Sequence, residues 1–202
     1  MTVLFDNADS GNGYKIRLLF ALLDVKHTRV EIDTYAGESR TPAYLARNSN
    51  GKIPLVELDD GTHLAESGAI LYQFAVGTTF WPTALRDQSE ALQWMFFEQY
   101  SHEPYIAVLR SWSRHGTMTD DRKAQWAWRE AEGYRALGIM ENHLQAQDWF
   151  AGDRASIADI ALYAYTHVAS DGGFDLNRFP AIGAWIGRIE QLPGDIGFHD
   201  IA

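Results

Sequence analysis

Three short stretches hold the residues able to do chemistry. The first is Ser10-Gly11-Asn12-Gly13. It sets a hydroxyl and a side-chain amide, both hydrogen-bond donors, beside glycines that permit tight turns and close approach of backbone to a ligand. No Ser-His-Asp arrangement is evident to turn Ser10 into a nucleophile, and the same residues also suit a plain helix cap. The second stretch is Lys52-Ile53-Pro54, a cation beside a proline at the entrance of the apolar run Leu55 to Leu58. Proline has no N–H to give a sheet, so on residue types alone this reads as the start of an edge strand. The third is Glu66-Ser67, where a strand-like pattern passes into a helix-like one. Free N–H groups at a helix start attract anions. Ser67 equally reads there as an ordinary cap, and Glu66 as a charge well placed beside a helix N-terminus.

Composition narrows the chemistry. The 202 residues include no cysteine, which leaves no disulfide framework, thiolate metal site or cysteine nucleophile. Any sulfur chemistry has to use sulfur that a ligand brings. The seven histidines are scattered; His102, His115, His143 and His167 show no close metal-ligand spacing, and no metal is assigned. A formal net charge of −10 argues against nucleic acid as a partner, which needs a basic face. An anionic ligand must be held by local donors against that overall field. No apolar run approaches the ~20 residues that cross a bilayer, so no membrane partner is expected. Met1 to Asp6 reads as a first strand rather than a signal peptide, which fits a cytoplasmic protein.

The elements that must position these stretches change character along the chain. Val3 to Phe5 reads as a strand. Ile16, Leu19, Phe20 and Leu23 follow the i, i+3, i+4, i+7 spacing of a helix. Thr28 to Ile32 alternates like a strand, and Thr41-Pro42 suits a helix start. Leu55 to Leu58, the turn Asp60-Gly61 and Thr62 to Leu64 form a hairpin. Ser67 opens a helix through Phe74. The order is βαβαββα over 1–76, followed by a connector 77–85 holding Gly77, Trp81 and Pro82. From 86 to 202 only helical patterns appear: Leu85 to Trp112 interrupted at Pro104, Asp120 to Gln147, a helix opened by the capping-box-like Ser156-Ile157-Ala158-Asp159, and a last one from Pro180.

Four pieces in this order, "SGNGYKIRL" (Ser10 to Leu18), "NGKIPLVELDDG" (Asn50 to Gly61), "LAESGAILYQFA" (Leu64 to Ala75) and "SIADIALYAY" (Ser156 to Tyr165), make the chain resemble the glutathione transferases over nearly its whole length. The more familiar N-terminal catalytic tyrosine of that family has no counterpart in Leu4-Phe5-Asp6-Asn7-Ala8, and the cysteine of beta-type members is absent. The Ser-Gly-Asn-Gly loop is more similar to bacterial serine- or threonine-type members, some of them glutathione-dependent disulfide reductases. The resemblance implies an α/β thioredoxin-like N-terminal domain, an all-α C-terminal domain, a homodimer, and glutathione as co-substrate in the conjugations of detoxification.

Carried onto this chain, the resemblance implies a cis Ile53-Pro54 peptide whose flanking backbone pairs, strand-like, with the cysteinyl part of glutathione. Glu66 and Ser67 then meet its γ-glutamyl end, and Lys52 meets its glycyl carboxylate with help from Arg40. Ser10, seconded by Asn12, donates to the thiolate. Tyr105, Arg110 and Trp112 are the candidates for the wall of an electrophile pocket; core packing or dimer contact is the alternative for each. The co-substrate is expected to be a small, largely apolar electrophile. Two alternatives stay open: reduction of disulfides by bound glutathione, and a binding or interaction module without turnover.

Overall fold

The computed structural model describes residues 1–200, and they fall into two compact units. The first is built on a four-stranded sheet of order β2-β1-β3-β4, from β1 (Thr2–Asp6), β2 (His27–Glu31), β3 (Leu55–Glu57) and β4 (His63–Ala65). β1 runs parallel to β2, with Phe5 opposite Val30, and antiparallel to β3, with Phe5 opposite Leu55. β3 and β4 form the expected hairpin, Leu55 opposite Ala65. Gly61 takes the positive φ (82°) that its turn needs. The parallel pair requires a crossover, and α1 (Gly11–Leu22) supplies it. α2 (Pro42–Leu45) starts at the Thr41 cap, whose oxygen accepts from the Tyr44 N–H, and α3 (Ser67–Ala75) follows β4. The βαβαββα order is therefore present. Phe5, Ile32, Tyr44 and Leu55 pack together between sheet and loops.

α1 departs from a simple amphipathic helix. Every residue from Gly13 to Phe20 is buried, including Lys15 and Arg17. One face meets the sheet side of the unit. The other is covered by a segment that the helical periodicity had assigned to the C-terminal domain. Residues 192–200 join the first unit, not the second. Tyr14 Oη donates to the Ile196 carbonyl (2.6 Å), Arg17 Nη2 donates to the Phe198 carbonyl (2.8 Å), and the Tyr14 and Phe198 rings lie 5.0 Å apart. The 86–202 boundary is corrected accordingly. The cause is tertiary: α1 carries buried donors on its outer face, and the returning backbone carbonyls satisfy them.

The second unit, Thr78–Gln191, is helical. It holds α4 (Leu85–Phe97), a π-helical stretch Glu98–His102, α5 (Glu103–Arg114), α6 (Asp120–Leu144), α7 (Ile157–Thr166) and α8 (Pro180–Ile189). The interruption expected at Pro104 comes as that π-helical stretch just before it, which lets α5 start with proline at its first turn. The connector is not a free linker: the Phe80 carbonyl accepts from the Ile157 N–H at 3.0 Å. α7 is buried along its entire length. The rings of Phe150 and Trp185 meet edge-on 5.1 Å apart, and Trp94 packs against Phe150 at 4.6 Å. Among the described residues, no helix is long and apolar enough to cross a membrane, and no cluster of His, Asp and Glu is arranged to hold a metal ion.

Candidate functional site

The first unit brings two of the three stretches into direct contact. Ser10 caps α1, and its Oγ accepts from the Gly13 N–H at 3.1 Å. That bond uses a lone pair and leaves the hydroxyl proton to be donated elsewhere. Asn12, two residues into the helix, accepts through Oδ1 from Lys15 Nζ (2.8 Å) and from Ser67 Oγ (3.1 Å). An ammonium can only donate, so Lys15 faces the amide oxygen and fixes which way Asn12 is turned. The Asn12–Ser67 bond spans 55 residues of sequence and ties the start of α1 to the start of α3. Neither helix carries an acidic residue in its first turn. The positive end of α1 is thus left without a counter-charge from its own first turn, while at α3 the cap residue Glu66 stands beside the helix start without hydrogen-bonding its N–H groups.

The Lys52-Ile53-Pro54 stretch is held from behind. The Ile53–Pro54 peptide is cis. The Lys52 carbonyl accepts from Tyr44 Oη and from Asn48 Nδ2, each at 2.8 Å. Burial pushes the Tyr44 phenol up to about 12, so it remains a donor across the physiological range. Among the described residues none hydrogen-bonds the main-chain N–H or C=O of Ile53, which leaves both available to a strand-like ligand. The Lys52 side chain is exposed.

Glu66 stands in a conformation L-residues seldom adopt, with φ 70° and ψ 117°. Such strain costs about 1–3 kcal/mol and collects at functional positions. Its carboxylate accepts from Asn50 Nδ2 at 3.5 Å, and the Asn50 carbonyl accepts from Arg40 Nη1 at 3.0 Å. Arg40 is thereby placed beside the Asn50–Lys52 segment. The Ser67 hydroxyl, expected to face a ligand carboxylate, gives its proton to Asn12 instead. What remains for an anion at that helix start is backbone N–H.

Tyr105, Arg110 and Trp112 lie on α5 in the second unit. Arg110 is buried and pairs through Nε with Asp171 at 3.2 Å. Tyr105 meets the Trp128 ring edge-on at 5.5 Å, and the guanidinium of Arg129 sits 5.2 Å from the Trp112 ring. Each has a packing partner within its own unit.

Sequence reasoning missed Lys15, Tyr44, Asn48 and Asn50. Lys15 was within reach, since Asn12 and Lys15 stand three apart on a helix and such pairs are neighbours. It also missed Asp6. This carboxylate is fully buried at the end of β1 and accepts through Oδ2 from Arg17 Nη1 (3.2 Å) and Arg29 Nε (3.4 Å). Arg17 further donates to the Ala8 carbonyl at 3.1 Å. Burial outweighs both arginines and raises Asp6 to about 6.

Comparison with known proteins meets this geometry. Residues 2–73 match the family model described as glutathione S-transferase, N-terminal domain, and residues 89–193 match glutathione S-transferase, C-terminal domain. A solved structure described as a possible glutathione S-transferase from Rhodopseudomonas palustris is 47% identical, with a TM-score of 0.96 over 100% of this chain and 99% of that one. A glutathione S-transferase from Pseudomonas fluorescens is 45% identical, with a TM-score of 0.96 over 98% and 99%. The disulfide-bond oxidoreductase YfcG of Escherichia coli is 27% identical over 92% of this chain and 89% of its own length.

Proposed function

The chain belongs to the glutathione S-transferase family, and we propose that it binds glutathione along the first unit, with the sulfur at the Ser10 turn, and directs the thiolate at a small, largely apolar electrophile. The observation that carries this reading is the Asn12–Ser67 hydrogen bond. It joins a hydroxyl-bearing turn to a helix start whose N–H groups no side chain caps, the two ends that a thiol and a γ-glutamyl carboxylate need. Ile53 offers its backbone to the cysteinyl part beside Pro54, Glu66 accepts from the γ-glutamyl ammonium, and Lys52 and Arg40 supply cations for the glycyl carboxylate.

The energetics are sufficient. A thiol of pKa ~8.5 is only a few per cent ionised at neutral pH. Lowering that value by ~2 units takes ~2.7 kcal/mol. A hydrogen bond to a charged acceptor contributes ~1.5–3 kcal/mol, so the Ser10 hydroxyl plus the positive end of α1 is enough. Ser10→Ala is expected to lower kcat/KM by about 10- to 100-fold with glutathione affinity retained. Full activity in the Ser10→Ala, Asn12→Ala double variant would overturn the assignment. Tyr105, Arg110 and Trp112 are proposed for the electrophile side, with Arg110 acting through its pairing to Asp171 rather than as a free cation.

A second reading has its own support, the YfcG relative. In it the thiolate attacks a disulfide sulfur, forming a mixed disulfide and releasing the other half as a thiol. Assays of one preparation with an aromatic halide and with hydroxyethyl disulfide separate the two, and no rate above background in either favours a binding module. A cytoplasmic homodimer is part of the proposal. On α4, Leu85, Leu92 and Phe96 are exposed at helical spacing, with Tyr100 following. Light scattering at a monomer mass would remove the dimer.

A further inference from the structure

Behind the Ser10 turn lies a charge that the proposed chemistry does not use. Asp6 Oδ2 is held by Arg17 and Arg29, but Oδ1 is buried and takes no hydrogen bond from any described residue. That oxygen faces the first turn of α1. A Cβ built on Gly13 would stand 2.3 Å from Oδ1 and 2.5 Å from the carboxyl carbon, so only glycine fits there. The N–H of this same Gly13 is the donor to Ser10 Oγ. One residue therefore separates a half-satisfied buried carboxylate from the hydroxyl at the proposed sulfur site.

We infer that Asp6 is a positioning residue that sets the acidity of the thiol held at Ser10, acting through the first turn of α1. The inference rests on the glutathione site proposed above. For stability alone the buried Asp6–Arg17 pair is not needed, since exchanging such a pair whole for apolar side chains of similar volume is often neutral or stabilising, and the bare Oδ1 adds a cost of its own. As an electrostatic setting it is coherent. The charged or titratable groups around it are Arg17 from α1, Arg29 and Glu31 from β2, and Tyr44 from α2; Tyr14 acts on Arg17. With Asp6 ionised, the two arginines are balanced by two carboxylates. With Asp6 protonated, the cluster behind the helix start becomes net positive and favours an anion in front of it. Asp6 and the bound thiol then titrate against one another, each making the other's ionisation harder.

The test is the ultraviolet absorbance of thiolate in the glutathione-saturated protein, followed against pH for wild type and Asp6→Asn. Removing the anion is expected to lower the pKa of the bound thiol by at least about half a unit, roughly threefold more thiolate in the acid range. A merely structural loss would loosen the turn and move the value the other way, toward free glutathione. An unchanged or raised pKa in Asp6→Asn overturns the inference. Should that variant not fold, the wild-type curve decides. Coupled sites give a curve broader than one proton, and a clean one-proton curve overturns the inference. If wild type itself leaves the thiol as acidic as in free solution, the sulfur site falls and this inference with it. Normal wild-type activation with no response to Asp6→Asn removes the inference alone.

Discussion

Two helices of this chain open on a serine cap, α1 at Ser10 and α7 at Ser156, and they are finished differently. At α7 the circuit is closed. The Ser156 Oγ accepts from the Ala158 N–H, and Asp159, three residues into the motif, takes the Ser156 N–H (2.8 Å), the Ser156 hydroxyl (2.9 Å), the Phe150 N–H (3.1 Å) and Trp185 Nε1 (3.0 Å). Both residues are buried. At α1 the corresponding third position is Gly13, the cap is half-buried, and the helix carries no acidic residue of its own in its first turn; the Asp6 carboxylate lies behind that turn without hydrogen-bonding it. A filled N-terminus stores stability; one left open keeps its donors and partial positive charge for something that arrives. The same serine cap thus serves two ends, and the residue three places on decides which.

The strongest way to break this comparison is to open α7. Asp159→Ala strands the Phe150 and Ser156 N–H groups and the Trp185 indole in the interior. Each stranded donor costs about 1–3 kcal/mol, so a loss near ~4 kcal/mol is expected in chemical denaturation. Glutathione affinity of the molecules that stay folded is expected to hold, because the proposed glutathione contacts lie in the other unit. A loss below about 1 kcal/mol would mean that the network is ornamental.

The converse is to close α1. Asn12→Asp places a carboxylate in its first turn while keeping an acceptor for Lys15 and Ser67. The helix gains about 0.3–1 kcal/mol. A bound thiolate, now facing a like charge, is disfavoured, and kcat/KM near neutral pH is expected to fall at least about tenfold. Opposite signs in the thermal melt and the rate would sharpen the contrast; a variant both more stable and as active would end it.

A third probe asks whether α7 is sealed at its far end too. His167 follows its last turn, stacks on Tyr163 with ring centroids 4.1 Å apart, and donates through Nδ1 to the Tyr163 carbonyl. Burial, the largest influence, lowers it from 6.5 to about 4. A histidine depressed in this way stabilises the fold above its unfolded value. That contribution is lost as pH falls from 6.5 toward 4. Between about pH 7.5 and pH 5 the loss reaches up to about 2 kcal/mol. His167→Gln is expected to flatten stability in that window, and an unchanged pH slope would show that the end is open to solvent.

The α7 capping box was legible because it is local: Ser156 and Asp159 sit three apart, and the pattern carries its own geometry; the bonds from Phe150 and Trp185 to Asp159 were not. The order of strands and helices was legible for the same reason. The α1 site was readable only in part. Ser10, Asn12, Glu66 and Ser67 could be named one by one, whereas the bond between Asn12 and Ser67 crosses 55 residues and no periodicity encodes it. The return of the C-terminal segment to α1 is more remote still. Tyr14 meets Ile196 across 182 positions, and a tyrosine on a helix gives no sign of a carbonyl that far along the chain. Asp6 was missed because a carboxylate ending a strand looks solvated until the arginines on either side are seen.

The smallest effect falls on Glu66. Its φ of 70° is a burden that glycine would not carry, and within the unit this exposed side chain takes a long bond of 3.5 Å from Asn50 Nδ2. Glu66→Gly is expected to leave stability unchanged or raise it by up to about 1 kcal/mol, relief of strain set against glycine's greater entropy when unfolded. Glutathione should bind about five- to tenfold more weakly, a change of about 1 kcal/mol read by calorimetry. If the residue served only the turn into α3, the outcome would invert, with affinity intact and the melting temperature lowered. A strained residue is retained where its side chain does something its backbone cannot justify, and the role proposed for Glu66, to face a ligand's ammonium beside the start of α3, is of that kind.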